Sequence, residues 1–323
     1  MGDRAVDQPV VRIPNLVRFG LSAAGFGAAG QLVERARWAE RAGFSTFSVS
    51  DHLNAPSPFV TLQAVSSATE RIRLGTLVIN NDFRHPAVLA QDAATIDQLS
   101  GGRLELGLGA GWARPEYERA GIPYERAGVR VDRLAATVDA LSELFAGGPV
   151  TASGPGVELT DHLVVPRPPQ RNRLPILIGG NGDRVLSLGA RSADIVGFTG
   201  FGPDDEGRNQ ATHFDRAGLA DRVALVNRES GARADRIELH MLLQMLTITD
   251  DRELLARTMA EREGRPVATV LTSPFLAFGT VDQICAQLSG LADELGITYF
   301  TVFNQFGDDA AIVLAALGDA VRT

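Results

Sequence analysis

Residues 71–112 read RIRLGTLVINNDFRHPAVLAQDAATIDQLSGGRLELGLGAGW, and the order of residue types in this stretch decides the fold class. An apolar run at 74–79 predicts a strand, apolar residues at helical spacing over 86–99 predict a helix, and 104–108 predicts a second strand. Two strands joined through a helix run parallel, so the stretch is one βαβ unit. Its polar residues collect after the strands: Asn80, Asn81, Asp82, Arg84 and His85 after the first, and Gly109, Ala110, Gly111 and Trp112 after the second. Ligands in parallel α/β proteins sit at the carboxyl ends of strands, which makes these two loops the first candidates for a site.

The rhythm continues on both sides of this unit. Upstream, 16–22 predicts a strand that ends in AAGFGAAG, and 31–41 predicts a helix with Leu32, Ala36 and Ala39 on one face and Gly43 as its stop. Residues 46–50 predict the next strand, with Asp51 and His52 directly on its carboxyl end, and the prolines at 56 and 58 open a helix that runs to Thr69. Downstream, 129–145 predicts a helix, and 150–159 predicts a hairpin excursion around SGPG. Strands follow at 175–178, 195–198, 237–249 and 299–303, with helices at 185–191, 217–230, 281–295 and 310–321 and a charged helical insertion at 251–271. Eight strand and helix pairs make a (β/α)8 TIM barrel, read here as one domain behind a loose leader at 1–15.

Composition narrows what such a barrel does. The chain has 323 residues, of which 45% are apolar and 22% charged, enough to bury a large core. A net charge of −8 argues against nucleic acid or an anionic membrane as the partner and for a small molecule. No stretch approaches the roughly 20 apolar residues that cross a bilayer, and the polar first residues are unlike a secretory leader, which points to the cytoplasm. Cys285 is the single cysteine and falls in an apolar-periodic stretch, as a buried thiol does. All 31 of the Lys and Arg residues are arginine. Without a lysine amine, Schiff-base, pyridoxal-phosphate and Walker-type phosphate-loop chemistry are excluded.

Two rim features carry chemistry. Asp51 and His52 are an adjacent acid and base at a strand end, where an imidazole can exchange a proton with a ligand; the alternative is a capping Asp beside a structural His. His85 precedes Pro86 in a turn that enters a helix and reads as structural, and His162, His213 and His240 lack metal-ligand spacing, so no metal site is predicted. The run 107–111 lacks the spacing of a dinucleotide fingerprint, since Trp112 and Pro115 stand where a helix start and a third glycine are required. Its glycines instead let a flat ring lie against backbone. Gly179, Gly180, Asn181 and Gly182 join a strand to a helix, so their N–H groups converge on an anion site, with Arg184 in the same turn.

Taken in order, Asp51 and His52, the Arg84-His85-Pro86 turn, SGGR followed by a strand and GLGAGW, and PILIGGNG at 175–182 resemble the luciferase-like monooxygenase superfamily, and within it the deazaflavin-dependent oxidoreductases. The resemblance implies a barrel, usually a homodimer, that holds coenzyme F420 in its upper mouth and transfers hydride to or from a small organic substrate. It places the ring on a bulge at Thr76, Leu77, Val78 and Asn80, with Leu77–Val78 a cis peptide, and beside Asp51, Gly109, Ala110, Gly111 and Trp112; it places the phosphate on Gly179 and Gly180. His52 is the expected catalytic residue. Two other readings remain: an FMN-dependent two-component monooxygenase served by a separate reductase, and a cofactor-binding protein without turnover. The sugar-phosphate branch of these enzymes has a Glu where this sequence has Trp112, and a Trp at about the position of Pro56, which argues against sugar-phosphate oxidation.

Overall fold

The protein, seen in a computed structural model, is described over residues 17–23, 29–170, 174–204 and 206–320; the expected leader and the glycine-rich segment 24–28 lie outside these residues. Eight parallel strands close into a barrel: β1 Arg18–Ser22, β2 Thr46–Val49, β3 Arg73–Thr76 resuming at Ile79–Asn80, β4 Leu104–Gly109, β5 Ile176–Gly180, β6 Ile195–Phe198, β7 Glu238–Leu243 and β8 Ile297–Phe303. Closure is made by β1 pairing with β8 (Arg18 opposite Tyr299) and by β3 pairing with β4 (Leu74 opposite Leu104). Helices wrap the outside: α1 Ala29–Arg41, α2 Pro58–Ser66, α3 Pro86–Leu99, α4 Ala127–Ala146, α5 Asp183–Ser192, α6 Arg216–Ser230, α7 Val281–Leu295 and α8 Gly307–Ala320. Strands such as β4 are buried along their whole length because both faces are covered, and that is why they read as apolar runs. Proline opens α2 and α3, and Thr280 with Gln283 forms a reciprocal capping box at the start of α7.

Several elements differ from the sequence expectation. The strand expected over 237–249 is two strands. Only β7 belongs to the barrel, while Met245–Ile248 pairs in parallel with Leu276–Gly279 outside it. The charged insertion between them consists of two helices, Arg252–Glu263 and Val267–Thr272. The excursion after α4 is the expected antiparallel hairpin, Val150–Gly154 with Val157–His162. A second small hairpin, Phe201–Pro203 with Asn209–Ala211, follows β6, and a short helix, Arg114–Ala120, follows β4; neither was read from the sequence. Cys285 is half-buried on α7, and burial raises its thiol pKa.

At the amino-terminal ends of the strands an ion network fills the barrel. Arg18 donates to both oxygens of Glu238 at 2.8 and 2.7 Å and to Glu105 at 3.0 Å, and Arg73 reaches Glu105 at 2.6 Å. The Arg18 guanidinium also lies 3.5 Å above the Tyr299 ring. Burial would raise the Glu105 pKa, but Arg18 and Arg73 outweigh it and hold the carboxyl below its ordinary range. The network ties β1, β3, β4, β7 and β8 together and leaves the carboxyl ends free to form a site.

Candidate active site

The site begins with an irregularity in β3. Gly75 faces Glu105 and Ile79 faces Leu108, so four steps of β3 span three steps of β4, the count of a β-bulge. The Leu77–Val78 peptide within it is cis, as the resemblance implied. Thr76 holds the bulge in place: its hydroxyl donates to the Gly107 carbonyl and accepts from the Gly107 N–H, both at 2.8 Å. A Cβ on Gly107 would come within 1.9 Å of the Thr76 carbonyl, which is why this stitch requires glycine. Thr76 is buried and does not face the cavity above; it was expected beside the cofactor, and the structure gives it this backbone role instead.

Above the bulge a cavity of about 630 Å³ opens at the carboxyl ends of the strands. The remaining expected residues line it: Asp51, His52, Leu77, Val78, Asn80, Gly109, Ala110, Gly111, Trp112, Gly179, Gly180, Asn181 and Gly182. One wall is flat backbone. A Cβ on Gly109 would sit 2.6 Å from Val78 Cγ2, so no side chain can stand between the bulge and β4. Behind this wall Arg130 of α4 is buried and donates to the carbonyls of Ala110 at 3.2 Å, Gly111 at 3.3 Å and Glu125. It fixes the glycine turn with a guanidinium that has no carboxylate partner among the described residues. Tyr117, fully buried, donates to Asn80 Oδ1 at 2.9 Å and Asp82 at 3.1 Å, joining the two loops of the βαβ unit.

The acid and base are not paired as the sequence suggested. Asp51 is buried and bound to Arg84 through both oxygens, and it also accepts the Asn80 N–H at 3.1 Å. It therefore orders the β3 loop. The partner of His52 is Glu116, whose Oε1 lies 2.6 Å from His52 Nδ1 while its Oε2 accepts the Leu53 N–H at 3.2 Å. Glu116 comes from the helix Arg114–Ala120, whose sequence signals were present in Pro115 at its start and Gly121 in the left-handed conformation at its end, φ +70°. Trp112 stands edge-on to His52 with ring centroids 6.0 Å apart and closes one side of the cavity. A carboxylate on Nδ1–H fixes the tautomer and leaves Nε2 to exchange a proton with a ligand, and Nε2 has no protein partner among the described residues. His85 is the N-cap of α3, its ring accepting the Ala87 N–H at 3.2 Å, as a structural reading requires.

The loop after β5 delivers the open end of a helix. Gly182 is the N-cap residue of α5 and supplies no side-chain cap, so the first N–H groups of α5 are left for a ligand. Asn181 is pinned by its amide nitrogen to Thr212, at 2.6 Å to the carbonyl and 2.7 Å to the hydroxyl, and its buried Oδ1 has no protein partner. Arg184 lines the cavity but is tied to Asp132 at 2.5 Å, and Asp183 is paired with Arg222. His240, set aside in the sequence, lies on the floor of the cavity in β7. It bonds Thr301 at 2.8 Å, and burial beside Arg18 pushes its pKa down to about 3, so it is neutral at physiological pH. No cluster of metal-ligating side chains occurs among the described residues, and no helix there is long and apolar enough to cross a membrane.

Known proteins with this sequence pattern support one family. The model of the luciferase-like monooxygenases matches residues 13–262. An F420-dependent glucose-6-phosphate dehydrogenase of Nakamurella multipartita is 30% identical over 297 residues, covering 88% of this chain and 81% of that enzyme. A protein of the same name from Microbacterium testaceum is 35% identical over 201 residues, covering 59% of this chain but only 58% of its own length. In structure, the coenzyme F420 dependent tetrahydromethanopterin reductase from Methanopyrus kandleri superposes with a TM-score of 0.75 at 20% identity, covering 93% of this chain and 97% of that one, a likeness of fold. The sequence match over most of the chain and the barrel with its β3 bulge agree, and the chain belongs to the luciferase-like monooxygenase family.

Proposed function

We propose that the protein is an oxidoreductase that transfers hydride between coenzyme F420 and a small organic substrate. The observation that carries this reading is His52 held by Glu116 at 2.6 Å on the rim of a cavity that also offers a side-chain-free backbone wall and an uncapped helix N-terminus. The residues fit the cofactor. A flat ring has a seat where Val78 and Gly109 leave no room for a further side chain, and a phosphate has one at Gly180, Asn181 and Gly182. The names of the sequence relatives support F420 over FMN.

Bound F420 would supply a carbon that accepts or gives hydride. The protein does the rest. The Arg130 and Tyr117 contacts hold the loops rigid around the ring seat, Trp112 limits water, and His52 Nε2 takes the substrate proton when hydride leaves or returns it in the reverse direction. Glu116 stabilises the imidazolium that forms. A non-catalytic binding protein has no use for this hydrogen-bonded imidazole and carboxylate at the cavity rim, which favours turnover. We also propose a cytoplasmic homodimer without nucleic acid or membrane partners, supported by the family resemblance and the net charge of −8.

Fluorescence titration of the purified protein with F420 and with FMN tests the assignment. F420 binding with a His52→Ala variant that keeps cofactor affinity and loses about 10²–10⁴ in turnover supports it. Tight FMN binding with oxygen-dependent product refutes it.

A further inference from the structure

The cavity has two unlike sides. The side already assigned to the cofactor carries the backbone wall and the helix end. The other side is built by α1, the hairpin after β6, and the ends of β7 and β8, and it presents Leu32, Phe201, Pro203, Leu242 and Phe303. Its polar groups are neutral. The Gln244 amide nitrogen donates to the Thr199 carbonyl at 2.9 Å, which fixes the amide and leaves Oε1 without a protein partner among the described residues. The Thr199 hydroxyl is taken up by Phe201, to whose carbonyl it donates at 2.8 Å. The cavity's cationic side chains, among the described residues, are Arg130 and Arg184, and both belong to the other side, where they bind the glycine turn and Asp132. Of the carboxylates facing the cavity, Asp51 is bound to Arg84 and Asp183 to Arg222, and Glu116 holds His52.

We propose that this second wall seats an uncharged, largely apolar alcohol or its carbonyl counterpart, and that the site does not accept the phosphorylated sugar after which the sequence relatives are named. A dianionic phosphate entering here would leave water without meeting a free cation, whereas an apolar body fills the Leu242 and Phe303 surface and presents its reacting oxygen to His52 Nε2. In the alcohol direction the carbinol C–H bond breaks with hydride passing to F420, the O–H proton passes to His52 Nε2, and the C=O bond forms. The substrate class rests on the F420 reading, but the wall can be tested separately.

Isothermal titration of the apoprotein and of the F420-treated protein with cyclohexanone, 2-octanone and glucose 6-phosphate does so. A ketone binding with Kd on the order of 1 mM, and no heat from glucose 6-phosphate at tenfold that concentration, is the expected result. Glucose 6-phosphate binding as tightly as either ketone, or bleaching the 420 nm band of the loaded protein, overturns the proposal, as does the absence of heat from both ketones. Failure of F420 itself to bind, with ketone binding retained, would overturn the cofactor assignment and leave the neutral wall standing.

Discussion

Replacing Glu116 by Gln isolates the carboxylate that holds His52. The substitution keeps the size of the side chain and an oxygen that can still accept the His52 Nδ1 proton, and it removes the charge 2.6 Å away. Hydrogen bonds to a charged group contribute about 1.5–3 kcal/mol against about 1 for neutral pairs. The difference, roughly 1–2 kcal/mol, appears where His52 carries the extra proton, in the transition state, and corresponds to a loss of about 5–30-fold in turnover. Glu116→Ala also frees the Leu53 N–H and the imidazole, so its loss should exceed that of the Gln variant. The assay is the initial rate of change in F420 absorbance with a turned-over substrate, together with F420 affinity from fluorescence. Affinity should stay within about threefold in both variants, because Glu116 acts through His52. Equal turnover in wild type and Glu116→Gln, or a loss seen only in F420 affinity, would refute the reasoning.

Three further outcomes follow from the geometry. Gly182→Asp introduces an N-cap side chain into open space at the start of α5, so the melting temperature should hold or rise slightly while F420 affinity falls at least tenfold from the added negative charge; a fall in stability with affinity intact would reduce the loop to a plain turn. Thr76→Val removes both bonds to Gly107 and leaves a buried N–H and C=O without partners, which should cost about 1–3 kcal/mol in denaturant unfolding; a neutral result would show that the bulge does not need the stitch. His240 is predicted to make the fold acid-sensitive. Burial beside Arg18 lowers its pKa from 6.5 to about 3, so between those values the unfolded chain binds a proton that the native state refuses, and stability falls as the pH drops. From pH 7 to 5 this amounts to about 2 kcal/mol, measurable as the difference between the unfolding curves of wild type and His240→Gln; parallel pH profiles would contradict it.

What the sequence made legible depends on how local its physics is. The barrel was readable because each strand is buried on both faces and each helix on one, so burial alone writes the alternating pattern, and β6 and α3 fall where the periodicity places them. The helix after β4 was missed because seven residues between two loops carry too few apolar positions to show a period, and Pro115 and Gly121 were its only signals. Residues 237–249 read as one strand because nothing local marks the step at Gln244, where the chain leaves the barrel: its N–H goes to the Phe275 carbonyl, more than thirty residues away. Within the site, backbone features were legible and side-chain pairings were not. Glycines at 109 and 182 and the loop after β5 express local conformational needs, whereas the choice of partner for His52 depends on which carboxylate the folded loops bring near.

That last distinction bears on how far the activity of relatives carries over. Asp51 adjoins His52 in sequence, yet both its oxygens are engaged by Arg84 and one of them also by the Asn80 N–H. The carboxylate instead arrives from position 116, one helical turn beyond Trp112, where the related sugar-phosphate enzymes are expected to have their acid. With Trp112 at that position, the carboxylate that His52 requires is supplied by Glu116. Glu116 on His52, together with a wall that offers no free cation among the described residues, provides for proton handling while limiting what the cavity can hold. Conversion of this site toward a phosphorylated substrate should therefore depend on a cation introduced beside Leu242 and Phe303, and restoring a carboxylate at position 112 alone should leave the preference for neutral ligands in place.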